Sequence, residues 1–232
     1  MPTLCVLMWY NEWIREYADI NYEINKKYCE KYGHTLVRSD ERHLPHRPPQ
    51  WERIPLLLKY IYGFDYVLWI DADAHFYLDA PDIMSVIHSF PEKLFIFSAD
   101  YNAQQAHEIN SGVLLLRQSP DTIAFLTEWA YNEEYFQNRT GYMYEGKYYL
   151  YCDQGALQYM YQQNVLHVQD HSVILPYGVL QHFRNEEVFP TLPFIHHLAG
   201  DSTVARVRES TDYWASLLVE EEKTQIMVND AI

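Results

Sequence analysis

Cysteine is scarce and scattered: Cys5, Cys29 and Cys152 are the only three, and none stands two residues from another. That excludes a zinc ribbon or a disulfide framework, and reduced, buried thiols are expected. Basic residues are also few, with 17 Lys and Arg against 32 Asp and Glu, a formal net charge of −15. Nucleic acid needs a basic face to neutralise its phosphates, so no nucleic-acid partner is expected. An anionic ligand would equally be repelled unless a cation intervenes. No apolar run approaches a membrane span, and the N-terminus lacks a signal-peptide pattern. Internal repeats, low-complexity tracts and linkers are absent too, so residues 1–232 are expected to form a single domain.

Hydrophobic residues, at 48%, are ample for a packed core, and 21 tyrosines dominate the aromatics. Tyrosine offers a flat apolar ring with a polar tip, which serves packing first and sugar or base stacking second.

Strand and helix patterns alternate along the chain. Strands are expected at Thr3–Tyr10, His34–Arg38, Tyr66–Ile70, Leu94–Ser98, Gly112–Arg117, Val165–Val168 and around Phe194–His197. Helices are expected at Glu16–Tyr32, closed by Gly33, at Trp51–Tyr62, from Pro81 to Phe90, and at Asp121–Tyr135 and Asp153–Gln163. A charged tail helix is expected from about residue 206. Arg42–Gln50, with three prolines, and the Tyr/Gly-rich Phe136–Tyr151 read as loops. The alternation predicts an α/β protein with a mostly parallel central sheet flanked by helices.

The most informative stretch is Tyr66-Val67-Leu68-Trp69-Ile70-Asp71-Ala72-Asp73. An apolar run this short reads as a buried central strand covered on both faces. Strand period is two, so Asp71 and Asp73 share a side where that strand ends. Two like charges there call for a divalent cation, and hard oxygen ligands suit Mg²⁺ or Mn²⁺. Ligands of α/β sheets bind beyond the carboxyl ends of strands. A plain acidic turn that caps the next helix is the alternative.

Four further segments could join such a site. His197-Leu198-Ala199-Gly200 offers an imidazole for Mn²⁺ and a glycine that lets backbone approach a phosphate. His196 should face the other way. Asn110-Ser111-Gly112 puts small polar residues at a strand start, where they line a sugar pocket or merely turn the chain. Asp153 and Gln154 open a helix, where Asp153 either caps it or faces a sugar. Arg53 sits early in a helix against the dipole, a local conflict that an anion would relieve.

The order Arg53-Ile54-Pro55, Trp69-Ile70-Asp71-Ala72-Asp73-Ala74, Asn110-Ser111-Gly112 with Leu115-Leu116-Arg117, Asp153-Gln154-Gly155-Ala156-Leu157 and His197-Leu198-Ala199-Gly200 resembles glycosyltransferase family 34. These are galactosyl-, mannosyl- and xylosyltransferases related to the yeast Golgi mannan proteins, and the likeness spans roughly residues 51 to 201. It implies a Rossmann-like GT-A fold and metal-dependent transfer of a hexose or pentose, with retention, from a UDP- or GDP-sugar donor to a saccharide hydroxyl. Asp71, Asp73 and His197 match the family's Mn²⁺ ligands (Mg²⁺ being the other candidate). Asp153 and Gln154 match its pair beside the transferred sugar and are the expected catalytic residues. Arg53, Asp71, Asn110, Ser111 and Gly200 are expected to bind the donor.

The chain departs from the family in lacking a membrane anchor and in carrying Cys152 where members often have an acid. A cytoplasmic or otherwise soluble protein, bacterial or viral, is therefore expected, or a Golgi-lumen one if this is a piece of a longer chain. The sequon Asn138-Arg139-Thr140 matters only in a secretory lumen. A metal-dependent phosphohydrolase and a non-catalytic nucleotide-sugar or carbohydrate binder are the competing readings.

Overall fold

The computed structural model describes residues 2–101, 103–105, 107–137, 152–183, 189 and 192–230, with backbone alone at 136–137 and 220–230. Nine strands are found there: β1 (Leu4–Trp9), β2 (Thr35–Ser39), β3 (Tyr66–Ile70), β4 (Ala74–Phe76), β5 (Phe95–Ala99), β6 (Ile109–Arg117), β7 (Ser172–Leu175), β8 (Gln181–His182) and β9 (Ile195–His197). The helices are α1 (Arg15–Tyr32), α2 (Arg53–Tyr60), α3 (Met84–Ser89), α4 (Pro120–Tyr131), α5 (Glu134–Gln137), α6 (Asp153–Gln162) and α7 (Thr203–Asp230).

Six strands form the main sheet in the order β2-β1-β3-β6-β5-β7. Only β6 runs against its neighbours, so the sheet is mostly parallel, as expected. Strand alternation divides its side chains between two cores. Cys5, Leu7, Trp9, Val67 and Trp69 pack on one face with residues of α2, α4 and α6. Val6, Met8, Leu68, Ile70 and Val113 pack on the other, with residues of α1 and α3. β3 is thus buried on both faces, the condition its unbroken apolar run required.

A second sheet, β4-β9-β8, begins where β3 ends. The chain leaves Ile70, turns through Asp71–Asp73 and enters β4. There Ala74 pairs antiparallel with His197 of β9, and the Leu198 N–H donates to the Asp73 carbonyl at 2.8 Å. This register sets a residue near the C-terminus against the carboxylate turn.

Several expected boundaries move. Val165–Val168 is not a strand. Asn164, Leu166 and His167 have φ of 50°, 51° and 58°, left-handed values that no strand admits. Val165 and Val168 face the core while Leu166 is half exposed, a three-residue spacing that a 3-10 turn satisfies and a strand does not; the edge strand is β7 instead, parallel to β5. The helix after Pro81 starts only at Met84, because the Asp82 carboxylate accepts the Met84 N–H at 2.9 Å. Pro49–Glu52 forms a 3-10 turn before α2. The tail helix starts at Thr203 and packs on α1, where the Ser210 hydroxyl donates to Asn21 Oδ1 at 3.0 Å. Gly33 closes α1 at φ 74°, as its position predicted. Residues 138–151, including most of the expected Tyr/Gly-rich loop and the sequon, lie outside the described residues. No helix among those described is long and apolar enough to cross a membrane.

Candidate active site

Asp71, Asp73 and His197 meet at the joint between the two sheets. One ligand atom of each lies within 4.8 Å of the others. His197 Nε2 is 3.3 Å from Asp73 Oδ1 and 3.8 Å from Asp71 Oδ2. The imidazole is only 3% exposed, while the carboxylates keep 23% and 13%, so the trio opens on the carboxylate side. Burial pushes the His197 pKa down, but Asp73 and Asp71 outweigh it and hold it above the ordinary imidazole value. Burial likewise raises Asp73, but His197 and Arg206 outweigh it and leave the carboxyl below its usual value.

The donor set is two carboxylates and one imidazole, a combination that fits a hard divalent cation such as Mn²⁺ or Mg²⁺. His197 Nδ1 sits 2.8 Å from Gln181 Oε1, which leaves Nε2 for a metal. Beneath the ring lies Gly112 of β6. A Cβ there would stand 2.1 Å from His197 Cε1, so no larger residue fits with the imidazole in place.

Arg53 is the hinge of the second half of the site. It opens α2 and is buried at 5% exposure. Its Nε lies 2.8 Å from Asp153 Oδ2, and a terminal nitrogen lies 3.2 Å from Asp71 Oδ1. The other terminal nitrogen donates to the Ser111 carbonyl, and Nε also donates to the Gln50 carbonyl at 3.1 Å. Burial alone would lower the guanidinium pKa; Asp153 and Asp71 reverse that and raise it. Placing a cation at the start of α2 is therefore explained here by two carboxylates of the chain itself. Burial raises the Asp153 pKa, with Arg53 opposing.

Asp153 does not cap α6. The cap is Cys152, whose Sγ accepts the Gly155 N–H at 3.3 Å. This leaves the Asp153 carboxylate to Arg53 and to the Ser111 hydroxyl at 3.3 Å. Gln154 Oε1 accepts the Ser111 N–H at 2.9 Å, and its Nε2 donates to Asp100 Oδ2 at 3.1 Å. Asn110 Nδ2 donates to Asp100 Oδ1 at 3.3 Å. Arg53, Asp71, Asn110, Ser111, Asp153 and Gln154 are thus tied into one cluster. Gly200 follows β9 with φ 78°, and a Cβ there would meet nothing within 4 Å; its demand is the left-handed turn. His196 points away, as alternation predicted, and stacks on His182 at 4.8 Å.

Three residues of the site were not anticipated. Arg206 of α7 reaches Asp73 Oδ2 at 2.8 Å, Gln181 holds His197, and Asp100 receives both amides. Only Asp100 carried a readable signal, an apolar strand that runs into a carboxylate, as at Asp71.

Beside the carboxylates lies a cleft of about 170 Å³ lined by Trp9, Tyr17, Pro49, Gln50 and Trp69. The Trp69 indole N–H donates to Asp71 Oδ1 at 2.6 Å, fixing that carboxylate at the cleft wall. A larger cavity, about 370 Å³, opens at the other end of the sheet by Leu4, Tyr32, His34 and Asp82, away from all of these residues.

Solved structures share this architecture from end to end. One is a glycosyltransferase involved in glycosylation of the major capsid of PBCV-1, with a TM-score of 0.68 and 13% identity over 90% of this chain and 99% of that one. The fold is GT-A. The galactosyltransferase LgtC, solved in complex with donor and acceptor sugar analogues, matches with a TM-score of 0.54 and 12% identity over 91% of this chain and 95% of its own. GlyE of Streptococcus pneumoniae matches with a TM-score of 0.57 and 13% identity over 97% of this chain and 64% of its own. At such identities the likeness is one of fold. No protein-family model and no curated protein matches the sequence.

Proposed function

We propose that this chain is a metal-dependent glycosyltransferase. It moves a hexose or pentose from a UDP- or GDP-sugar to a saccharide hydroxyl, with retention of configuration. The observation that carries the reading is the convergence of Asp71, Asp73 and His197 beside an aromatic-lined cleft. That convergence lies in a fold shared with glycosyltransferases. The order of the five motifs favours family 34 within that class, and we take the chain as one catalytic domain.

Asp73 and His197 would hold the cation most directly, and Asp71 would share it while facing the ribose side. Mn²⁺ or Mg²⁺ held there would supply Lewis-acid stabilisation of the departing diphosphate. The flat walls of Trp9, Tyr17 and Trp69 suit a base and ribose. Arg53 keeps Asp71 and Asp153 apart and in place, a fixed positive charge beside the diphosphate. Gly200 lets backbone N–H groups face a phosphate. On the sugar side, Asn110, Ser111 and Gln154 orient hydroxyls. Asp153 stabilises the positive charge of an oxocarbenium-like ring, preorganised rather than recruited. The acceptor hydroxyl comes in on the leaving-group face, and the diphosphate takes its proton.

The phosphohydrolase reading has less support. Asp71 follows the third strand, and its Oδ1 is engaged by the Trp69 indole N–H and by Arg53 rather than open for attack. A thermal-shift screen of nucleotide sugars with and without Mn²⁺, followed by a transfer assay, tests the proposal. A metal-dependent shift with sugar turnover supports it. Release of inorganic phosphate from simple esters, or binding with no turnover, refutes it in favour of one competitor or the other.

A further inference from the structure

We infer that Gln181 is a positioning residue for His197: its buried amide keeps the ring proton on Nδ1 and so presents Nε2 to Asp71 and Asp73 as a bare lone pair. The inference rests on the reading of this trio as a cation site. Gln181 lies on β8 and is 0% exposed, and its Oε1 is 2.8 Å from His197 Nδ1. An oxygen there can only accept, so Nδ1 carries the hydrogen.

The amide itself is not free to turn over. Gln181 Nε2 donates to Asn110 Oδ1 at 3.1 Å. The same oxygen accepts the Gly112 backbone N–H at 2.8 Å, and a backbone N–H can only donate. At its other end Asn110 Nδ2 donates to Asp100. Asp100 in turn accepts from Gln154, whose Oε1 is held by the Ser111 backbone N–H. Two consecutive peptide N–H groups of β6 therefore orient both side-chain amides.

Suppose the ring carried its hydrogen on Nε2. Gln181 would have to turn its NH₂ toward Nδ1 and its oxygen toward Asn110. Asn110 would then turn its oxygen onto the Asp100 carboxylate and leave the Gly112 N–H unpaired inside the protein. That form would gain an Nε2–H contact to Asp73 Oδ1 at 3.3 Å, but at the expense of a buried donor without a partner and of two acceptors in contact. The chemistry of the cation site is thus written by backbone geometry two side chains away, in β6.

The test reads the ring directly. Nitrogen NMR of histidine-labelled, metal-free protein in alkaline solution distinguishes the two neutral tautomers, with His197→Asn identifying the signal. The wild type is expected to show Nδ1–H. Gln181→Leu, close in volume but without an acceptor, should shift the ring toward Nε2–H. It should also lower Mn²⁺ affinity in calorimetry by about 10- to 100-fold, the range for outer-sphere partners. Gln181→Glu keeps an acceptor toward Nδ1 and should retain the Nδ1–H form, its other oxygen carrying a proton to replace the lost donor to Asn110 Oδ1. A wild-type ring protonated on Nε2, or a Gln181→Leu protein with unchanged tautomer and affinity, overturns the inference. A wild type that binds no Mn²⁺ defeats the cation reading instead, while the ring proton still decides this one.

Discussion

Arg53 Nε lies 2.8 Å from Asp153 Oδ2, and these two residues are the first residues of two different helices. Asp153 sits well at the positive end of α6, whereas Arg53 opposes the dipole of α2. The pair is nonetheless buried and continues to Asp71, so one guanidinium links the two halves of the site.

Arg53→Ala should therefore act first on stability. It leaves the Asp153 carboxylate buried beside Asp71 with no cation, and the expected loss is about 3–5 kcal/mol. Arg53→Lys retains charge but not the planar fork that reaches Asp153, Asp71 and the Ser111 carbonyl together, so a smaller loss is expected. Denaturant unfolding measures both, and a wild-type midpoint for Arg53→Ala would contradict the account.

Asp153→Asn separates chemistry from packing. The helix cap is Cys152 Sγ, so α6 itself should not suffer. Weakening the ion pair should lower the melting point modestly. Single-turnover transfer should fall much further, about a hundredfold, as when one preorganised transition-state group is lost. Cys152→Ser, which replaces a weak cap by a strong one, should hold or raise stability and serves as a control. Wild-type transfer by Asp153→Asn would remove this residue from the chemistry.

The cation should govern donor binding. A protein of formal charge −15 repels a nucleotide diphosphate, so calorimetric donor affinity should collapse in chelator. Asp73→Asn and His197→Ala should each remove most Mn²⁺ binding. A proton on His197 Nε2 competes with metal, and its pKa lies above the ordinary imidazole value. Affinity should therefore fall as pH is lowered through that raised value. Equal donor affinity with and without metal would count against the site.

Gly112→Ala should displace the His197 ring, because its Cβ would fall 2.1 Å from Cε1. Backbone and ring cannot both stay, so a loss of about 1–3 kcal/mol is expected from overpacking. Mn²⁺ affinity should drop with it. An alanine variant that keeps both would show that the ring is not seated on the β6 backbone.

Acid should destabilise the protein through a different set of histidines. His75 and His196 are buried, with Nε2 atoms that have no hydrogen-bond partner among the described residues. Burial and neighbouring histidines hold His75 well below the ordinary value and His196 at about 3. In the unfolded chain both take up protons as pH falls below about 6.5. The unfolded state then binds more protons than the folded one, so stability falls as pH falls through that range. The slope approaches about 1.4 kcal/mol per pH unit for each histidine. Melting curves from neutral to mildly acidic pH should show the decline, and His196→Phe should reduce it. A flat profile would mean that these rings accept protons in place.

What the amino-acid order determined by itself was local. The apolar run of β3 could only be a strand covered on both faces, and Gly33 could only end α1 in a left-handed turn. Strand periodicity separated His196 from His197, and the carboxylates after Ile70 announced a charged site. These features depend on neighbours within a few residues, where sterics and burial act directly. Val165–Val168 shows the limit, because a four-residue apolar run does not say whether a sheet edge is there to receive it.

Only the tertiary structure decided which distant groups meet. The Ala74–His197 register of the second sheet set the imidazole on Asp73. The antiparallel course of β6 slid Gly112 beneath that ring and Ser111 toward Asp153. The docking of α7 on α1 carried Arg206 to Asp73, in a segment that reads as an ordinary charged helix. Gln181 lies in a segment with no motif at all. A hydrogen bond needs its partner within about 3 Å, and that distance is set by sheet register and helix docking, which no local pattern encodes.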